Sequence, residues 1–362
     1  MSDLIIRSAL KEYAVNFVND FTLPLKQLTD DGAFVICDRT VFDIYHDRLH
    51  NAVVEERCLV IEASETTKTL EKCKEIIEIL VERKVRRNQK LIAIGGGVIQ
   101  DVTAFIASIL YRGVGWIFFP TTLLAQGDSC IGSKTSINLG HKKNLLGNFY
   151  PPDQIFIDSL FLQSLAVEDI KSGIGEILHF YYYSNSPLIG KLVSNYDNLI
   201  AHRELLKEYT QESLAIKKSV IEVDEFDKGE RNKFNYGHTF GHAIETITNY
   251  GIRHGQAVTV GMDLANYLSY QTGLLSRELF DRMREQLSEN FPDYDFSLCD
   301  IDSYFDALSS DKKNIGSTLG CILSEGPGAL VRRQIPFDDS LKEHVRAYFR
   351  LYNLLGQIRV NH

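Results

Sequence analysis

Three histidines and a glutamate are the residues whose types and spacing first predict chemistry. His238 and His242 stand in the glycine-flanked segment YGHTFGH, and His254 follows in RHGQA. A spacing of four places two side chains on one face of a helix. Glu176 lies earlier, inside an otherwise apolar helical segment, where an unpaired carboxylate would be costly to bury. Any one histidine taken alone is better explained as an ordinary helix residue, but two histidines with one carboxylate are a catalytic zinc set, and the group indicates a metal site.

A glycine-rich turn, GGGVIQD at residues 95–101, follows an apolar strand and opens a helical segment. Glycines at such a turn let the backbone approach a pyrophosphate, and the helix N-terminus favours negative charge. The spacing is not G-x-G-x-x-G, so the standard dinucleotide fingerprint is absent. The turn is therefore a weak indication of nucleotide binding, with a purely structural role about equally well supported.

A set of basic residues lies in polar, glycine-containing segments of an acidic chain. Asp and Glu number 48 against 39 Lys and Arg, a formal net charge of −9. Cations grouped in such loops can hold a phosphate or a carboxylate. Lys142 and Lys218 are better explained as solvated surface residues. The other members of the set are Arg112, Lys134, Lys143, Lys217, Arg231, Lys312 and Lys313, with Asn144 beside them.

The elements that must position these residues divide the chain into two halves. Short apolar runs alternate with helical patterns in the first half, which predicts a parallel sheet covered on both faces. Long amphipathic segments follow in the second half. We expect an α/β nucleotide-binding domain over 1–166 and a mainly helical domain over 167–362. The predicted strands are 33–37, 58–61, 91–94, 116–119 and 154–158, and the predicted helices are 70–81, 98–110, 170–183, 206–223, 239–249 and 258–268.

Length and composition describe an ordinary folded protein. The chain has 362 residues, 44% of them hydrophobic, which suits about two domains. The negative net charge argues against nucleic-acid binding. The six cysteines form no C-x-x-C pair and are too few for a disulfide framework in a chain of this length. They are best explained as buried side chains of a protein in a reducing compartment. The N-terminus has no signal-peptide pattern, and the most apolar region is broken by charges, glycine and proline. We therefore expect a cytoplasmic protein with no nucleic-acid or membrane partner.

Taken together, several segments resemble the dehydroquinate synthase family of sugar phosphate cyclases. The resemblance covers about residues 65–313 and keeps the motifs in family order. It implies an α/β NAD-binding domain followed by a helical metal-binding domain. The segments are GGGVIxD at 95–101, YRGV at 111–114, PTTLLAQ at 120–126, KN at 143–144, RxxxNxGHTFGHA at 231–243 and HGxAV at 254–258.

The resemblance also implies roles for individual residues, with a small phosphorylated sugar or sugar acid as the substrate. Glu176, His238 and His254 would bind Zn²⁺ or Co²⁺, and Arg112 would reach a neighbouring subunit's phosphate site, which implies a homodimer. Residues implied to line the NAD site are Asp38, Glu65, Lys68, Gly96, Gly97, Asp101, Thr121, Thr122 and Lys143. Residues implied to act on the substrate or its phosphate are Asp128, Lys134, Asn144, His179, Lys217, Arg231, Asn235, His242, Lys312 and Lys313.

The family chemistry explains why these groups occur together. NAD oxidises a secondary alcohol of the sugar phosphate, and the metal holds and acidifies its hydroxyls. The ketone acidifies the neighbouring C–H, so that phosphate leaves by β-elimination; the hydride then returns, the pyranose ring opens, and an aldol step closes a carbocycle. NAD is regenerated in each turnover, and His242 is expected to assist proton transfer. The first expectation is a heptulosonate 7-phosphate as substrate.

Departures from the family pattern leave the substrate open. The family's Glu-x-x-Lys reads Glu176-Ile177-Leu178-His179, so an imidazole replaces a substrate-facing lysine. Ser133 replaces the second glycine of Gly-Gly-Lys, Gln100 replaces a glycine of the nucleotide turn, and GHKKN at 140–144 replaces Pro-x-Gly-Lys-Asn. A relative acting on another sugar phosphate, of the 2-deoxy-scyllo-inosose synthase or sedoheptulose 7-phosphate cyclase type, is the alternative.

Two functions of other classes remain to be weighed. An iron-type polyol dehydrogenase shares the glycine turn, a Pro-Thr-Thr segment and histidine ligands. A neutral polyol, however, does not need the cationic set that includes Lys134, Asn144 and Arg231. A non-catalytic relative that binds NAD without turnover is supported by His179 alone.

Overall fold

The chain forms two structural units. The structure, a computed structural model, describes residues 4–140, 142–310 and 314–360, and of 355–360 only the backbone. Unit 1 comprises the described residues of Met1–Ala166 together with His202–Phe226, and unit 2 those of Val167–Ala201 together with Asp227–His362. No helix among the described residues combines the length and apolar character needed to cross a lipid bilayer.

Strands and helices alternate along unit 1 and give way to helices in unit 2. The strands are β1 Leu4–Arg7, β2 Glu12–Val18, β3 Phe34–Asp38, β4 Cys58–Ile61, β5 Leu91–Gly95, β6 Trp116–Pro120, β7 Ile137–Leu139, β8 Lys142–Leu146, β9 Gln154–Asp158, β10 Thr318–Gly326 and β11 Ala329–Pro336. The helices are α1 Thr22–Asp30, α2 Arg39–Ile44, α3 His46–His50, α4 Leu70–Glu82, α5 Gly97–Ile109, α6 Val167–Ser184, α7 Leu188–Ser194, α8 Tyr196–Ala201, α9 Leu206–Ile221, α10 His238–Ile247, α11 His254–Gln271, α12 Arg277–Ser288, α13 Ile301–Ser309 and α14 Asp339–Val360.

A seven-stranded sheet organises unit 1, in the order β1-β2-β9-β6-β5-β3-β4. All neighbouring pairs are parallel except β1 with β2. The central strands are buried along their whole length, as expected for a parallel sheet with both faces covered. Two apolar clusters, one on each face of the sheet, form its core. The predicted parallel α/β half is confirmed, and all five predicted strands are present.

Strands at both ends of the chain were not predicted. β1 and β2 form an antiparallel pair, which places β2 beside β9. The burial of β2 alternates along its length, so its period-2 pattern was a usable signal. In unit 2, β10 and β11 form an antiparallel hairpin whose turn contains Gly326-Pro327-Gly328. Glycine and proline between two apolar runs predict such a turn, and this signal was overlooked.

The division of the chain also differs from the single boundary predicted after residue 166. Helix α9 lies in the second half of the sequence but belongs to unit 1. The Ser213 hydroxyl donates to the Gly127 carbonyl at 2.7 Å, and Lys217 Nζ lies 2.8 Å from Asp128 Oδ1. Because these partners are distant in sequence, the helical pattern of α9 could not indicate which unit it packs against.

A buried ion pair holds three helices of unit 2 together. Asp263 on α11 is fully buried, and Arg284 on α12 donates to both of its carboxylate oxygens. The Tyr348 hydroxyl of α14 also donates to Asp263, at 2.9 Å. Such a pair fixes the register of the helices, because leaving either charge without its partner would be costly.

Candidate functional site

Glu176, His238 and His254 converge in unit 2. Glu176 Oε1 lies 3.7 Å from His238 Nε2 and 3.2 Å from His254 Nε2, and the three ligand atoms all lie within 4.8 Å of one another. Ligands bound to a tetrahedral ion at ordinary zinc distances stand about 3.3 Å apart. The Glu176 side chain is 3% exposed. Two imidazole nitrogens and a carboxylate oxygen therefore fit a divalent transition metal, with small ligand movements.

Glycines allow the helices that carry these ligands to approach closely. A Cβ at Gly175 would lie 2.1 Å from the Gly255 carbonyl oxygen, and a Cβ at Gly255 would lie 1.8 Å from the Ser172 carbonyl oxygen. Gly175 precedes Glu176 and Gly255 follows His254, so the contact of α6 with α11 occurs beside both ligands. The glycines next to the ligands are thus explained by backbone packing.

Each histidine is held in place through its other ring nitrogen. His238 Nδ1 lies 3.2 Å from the Tyr236 carbonyl oxygen, and His254 Nδ1 lies 3.1 Å from Glu245 Oε2. A carbonyl and an ionised carboxylate only accept hydrogen bonds, so Nδ1 must carry the proton in both rings. An ion held beside Glu176 would then be bound through the two Nε2 atoms, as metal coordination requires.

The two histidines have opposite pKa shifts. Burial lowers the pKa of His238 well below its usual value, and the neighbouring His179, His254 and His242 lower it further. Burial also lowers the pKa of His254, but the carboxylates of Glu176 and Glu245 outweigh it and raise that pKa well above its usual value. Neutral His238 is ready to act as a ligand, whereas an ion at His254 must displace a proton.

The other predicted residues of unit 2 lie near this centre or on the turn that precedes it. The His242 ring is exposed and its centroid lies 5.5 Å from that of His238. The His179 ring is buried one helical turn after Glu176, 5.1 Å from the His238 ring and edge-on to it. Arg231, which is buried, and Asn235, which is half-buried, lie on the 3-10 turn Glu230–Asn235 ahead of α10.

In unit 1, the predicted nucleotide residues gather at one edge of the sheet. Adjacent parallel strands β3, β5 and β6 end at Asp38, Gly95 and Pro120, with Thr121 just beyond. This carboxyl edge is where open α/β sheets bind ligands. A Cβ at Gly97, the first residue of α5, would meet no atom within 4 Å. A helix N-terminus with free space in front of its first residue fits a pyrophosphate.

Lys68 joins residues predicted for the cofactor to one predicted for the substrate. Its Nζ lies 2.6 Å from Asp101 Oδ2 and donates to Asn144 Oδ1 at 2.7 Å. Asn138 continues the network by donating to Glu65 Oε1 at 2.8 Å. Burial raises the pKa of Asp101 to about 6, against the opposing effect of Lys68. The polar groups of Glu65, Lys68, Asp101 and Asn144 are thus held in one connected network.

Two of the departures from the family pattern make structural contacts of their own. Gln100 donates to the Ser129 carbonyl at 2.6 Å and accepts from the Ser129 hydroxyl at 2.7 Å. This ties α5 to the π-helical turn that carries Asp128. Ser133, at φ 64°, lies in the left-handed region that favours glycine, and its hydroxyl donates to buried Glu225. Both departures therefore hold segments that carry predicted substrate residues.

The remaining predicted residues of unit 1 have exposed side chains or lie at the turns that follow β5 and β6. Arg112, Lys134 and Lys143 are exposed, and Thr122 caps the following turn by accepting from the Ala125 amide at 3.2 Å. A Cβ at Gly96 would lie 3.0 Å from the Thr122 methyl group. Lys312 and Lys313 lie outside the described residues.

Sequence reasoning missed Glu245, which contacts one of the predicted metal ligands. It lies on α10 seven residues after His238, two helical turns along the same face. That spacing was the available signal. His242, Glu245 and His254 also form a second group whose ligand atoms lie within 4.8 Å of one another.

Comparisons with known proteins agree with this geometry. The sequence matches two family models, described as 3-dehydroquinate synthase N-terminal over residues 58–172 and 3-dehydroquinate synthase C-terminal over residues 173–314. It is 34% identical to the 3-dehydroquinate synthase of Helicobacter pylori strain HPAG1, covering 94% of this chain and 98% of that one. The corresponding enzyme of Sulfurovum sp. strain NBC37-1 is 35% identical over 86% of this chain and 90% of its own.

Solved structures of sugar phosphate cyclases share the fold. A 2-deoxy-scyllo-inosose synthase complexed with carbaglucose-6-phosphate, NAD⁺ and Co²⁺ superposes with a TM-score of 0.84 at 25% identity, over 96% of this chain and all of that one. ValA, the 2-epi-5-epi-valiolone synthase of Streptomyces hygroscopicus subsp. jinggangensis 5008 with NAD⁺ and Zn²⁺ bound, gives 0.83 at 25% identity, over 94% and 98%. The glycerol dehydrogenase of Schizosaccharomyces pombe shares the fold alone, with a TM-score of 0.59 at 14% identity, over 96% and 91%.

These matches define the class as the sugar phosphate cyclases. Within it, the chain belongs to the 3-dehydroquinate synthase family.

Proposed function

We propose that this chain is an NAD- and divalent-metal-dependent cyclase that carries out the 3-dehydroquinate synthase reaction. It would convert a heptulosonate 7-phosphate to a carbocycle and release phosphate. The observation that carries the proposal is the convergence of Glu176, His238 and His254 on one point. It is supported by the chain's identity with named 3-dehydroquinate synthases along nearly their whole length.

The metal site suits zinc or cobalt. A bound divalent ion supplies Lewis-acid chemistry, by which substrate hydroxyls are held and acidified. Glu176, His238 and His254 would hold it, with both rings oriented through Nδ1. His242 is exposed beside the His238 ring, so it is the imidazole that we assign to proton transfer.

The nucleotide and phosphate sites are assigned to unit 1. Bound NAD supplies the temporary oxidation of one alcohol, after which it is regenerated. The N-terminus of α5 at Gly96 and Gly97 would face the pyrophosphate, and Lys68 would hold the surrounding polar groups in register. Lys134 and Asn144 would bind the substrate phosphate, and Asp128 paired with Lys217 would contact the substrate.

We also propose that the chain forms a homodimer in which Arg112 serves the partner's phosphate site. Arg112 is exposed and has φ 67°, so the backbone turns sharply where the side chain leaves the surface. Tyr111 and Ile109 beside it are 39% and 45% exposed. Sedimentation equilibrium should give a dimer mass, and Arg112→Ala should raise the KM for the phosphorylated substrate more than it lowers kcat.

The test is phosphate release from three substrates supplied with NAD and Zn²⁺. A heptulosonate 7-phosphate, sedoheptulose 7-phosphate and glucose 6-phosphate would be compared, with the cyclic product identified by mass spectrometry. We expect release from the heptulosonate without net NADH accumulation. Glu176→Gln should abolish turnover, whereas Glu278→Gln on α12 serves as a matched exposed control. Absence of release from every substrate would refute a cyclase, and net NADH production with a simple polyol would establish a dehydrogenase instead.

A second candidate is a related cyclase that acts on another sugar phosphate. His179 favours it, because a buried imidazole occupies the position of the family's substrate-facing lysine. Release from sedoheptulose 7-phosphate or glucose 6-phosphate, but not from the heptulosonate, would select this candidate. His179→Lys should be tested beside the wild type, since cyclase activity gained only in that variant would identify a relative that has lost turnover.

A further inference from the structure

We propose that Glu245 is a positioning residue of the metal centre: its carboxylate holds His254 in the tautomer whose Nε2 lone pair faces the ion. The inference deepens the proposed function, since it rests on a metal bound by Glu176, His238 and His254. Glu245 would touch neither the ion nor the substrate, and it would act through the imidazole alone.

The contact is direct and mostly shielded from water. Glu245 Oε2 lies 3.1 Å from His254 Nδ1, while His254 Nε2 lies 3.2 Å from Glu176 Oε1. The Glu245 side chain is 14% exposed. The ring is therefore held between two carboxylates, one at each nitrogen. If Nε2 is to bind an ion, the proton must reside on Nδ1, and Glu245 is the group that accepts it.

Helix α10 supplies both a ligand and the residue that orients another ligand. His238 begins the helix, and Glu245 follows two turns later on the same face. The α10 and α11 backbones approach closely at Gly241, where a Cβ would lie only 3.0 Å from the Ala257 carbonyl oxygen. This packing brings Glu245 within hydrogen-bond distance of the first residue of α11.

The two histidine ligands differ in what orients them. His238 Nδ1 faces the main-chain carbonyl of Tyr236, which substitution of a side chain does not remove. His254 faces a side chain, and its own side chain is 31% exposed against 16% for His238. The orientation of His254 therefore depends on Glu245. A carboxylate partner also makes an imidazole a stronger donor to a metal than a neutral partner does.

A second ion is the competing explanation of the same residues. His242, Glu245 and His254 place ligand atoms within 4.8 Å of one another, so Glu245 could itself be a ligand. The two roles exclude each other, since Nδ1 of His254 cannot donate a proton to Glu245 while coordinating an ion. The number of ions bound per chain therefore distinguishes them.

The experiment measures Co²⁺ binding by competition with a chromophoric chelator in the wild type, Glu245→Gln and Glu245→Ala. We expect one ion per chain in the wild type and a 10- to 100-fold higher Kd in Glu245→Ala. Glu245→Gln keeps an amide oxygen that can accept from Nδ1, so its Kd should lie between the two. The visible absorption bands of bound Co²⁺ should shift in Glu245→Ala, which a merely structural role would not cause.

The control is Asp169→Asn. Asp169 pairs with Arg253, the residue before His254, at 3.3 Å, so it places a carboxylate near the ligand without touching the ring. Unchanged Co²⁺ affinity in this control, with weaker binding in both Glu245 variants, would support the inference. An unchanged Kd in both Glu245 variants, equal weakening in Asp169→Asn, or two ions per wild-type chain would overturn it. Failure of the wild type to bind Co²⁺ would instead refute the proposed metal site.

Discussion

Replacing Gly255 with alanine would force α6 and α11 apart beside the metal ligands. The added Cβ would lie 1.8 Å from the Ser172 carbonyl oxygen and 2.7 Å from its carbonyl carbon. Cβ contacts below 3.0 Å essentially never occur, so the two backbones must separate by at least 1.2 Å. No side-chain rotation can relieve the clash, because the opposing atoms belong to the main chain.

A shift of this size is large compared with what a metal site tolerates. Metal–ligand distances are held within about 0.2 Å, and His254 is the residue directly before Gly255. Its Nε2 would leave the point shared with Glu176 and His238. We expect the Kd for Co²⁺ to rise more than about 100-fold, beyond the effect of losing an orienting group. Overpacking should also lower the free energy of unfolding of the metal-free protein by about 1–3 kcal/mol.

The assay is chelator competition for Co²⁺ together with urea unfolding of the metal-free protein. Gly190→Ala is the matched control, because Gly190 lies in α7 and a Cβ there would meet no atom within 4 Å. It should leave the Kd unchanged and raise the free energy of unfolding by up to about 1 kcal/mol, as alanine favours a helix more than glycine does. Wild-type metal affinity in Gly255→Ala would refute the claim that close helix packing forms the site.

Two further predictions concern stability. Arg284→Leu should lower the free energy of unfolding by about 3–5 kcal/mol in urea titrations, because it leaves the buried charge of Asp263 without its partner. Asp153→Asn should lower the free energy of unfolding by about 1–2 kcal/mol at pH 7. Burial raises the pKa of Asp153, but hydrogen bonds from Lys11 and Lys90 outweigh it, so the folded-state pKa is lowered and the stabilisation is lost as the pH falls below about 4.

A control variant tests the first of these two predictions, and a pH series tests the second. Arg277 pairs with Asp281 on the exposed face of α12, with side chains 67% and 50% exposed, so Arg277→Leu should change stability by less than about 1 kcal/mol. An equal loss in both arginine variants would contradict the role given to burial. For Asp153→Asn, the difference in free energy of unfolding from the wild type should narrow as the pH falls below about 4, and a difference that stays constant would show that the charge is not its source.

The half of the fold in which strands and helices alternate could be predicted, because its hydrophobic patterns are carried by neighbouring residues. The buried strands β3, β5 and β6 are continuous apolar runs, and a parallel sheet covered on both faces requires such runs. The place of α9 could not be predicted in this way. The amphipathic pattern of α9 indicates that one of its faces is buried. It does not indicate the partners, Gly127 and Asp128, because they lie more than 80 residues earlier in the sequence.

Glu176, His238 and His254 were predicted as metal ligands for a different reason. Any one histidine alone is better explained as an ordinary helix residue, but two histidines and a carboxylate in glycine-flanked segments together indicate a metal site, and the family motifs kept their order. The contact of Glu245 with His254 was not evident, because a glutamate in a helix is common and only its distance to His254 distinguishes it. Ser133 is similar, since its left-handed backbone and its hydrogen bond to Glu225 appear only in three dimensions.

Residue types, their spacing and the resemblance of the motifs therefore predicted the family, the parallel sheet and the chemical character of the proposed metal ligands. The folded chain alone established which of those side chains meet, which ring nitrogen of each histidine faces Glu176, and how closely the helices pack at Gly175 and Gly255. The physical reason is one of range. Hydrophobic period and ligand type are carried by neighbouring residues, whereas a coordination site depends on atomic distances between helices that are far apart in the sequence.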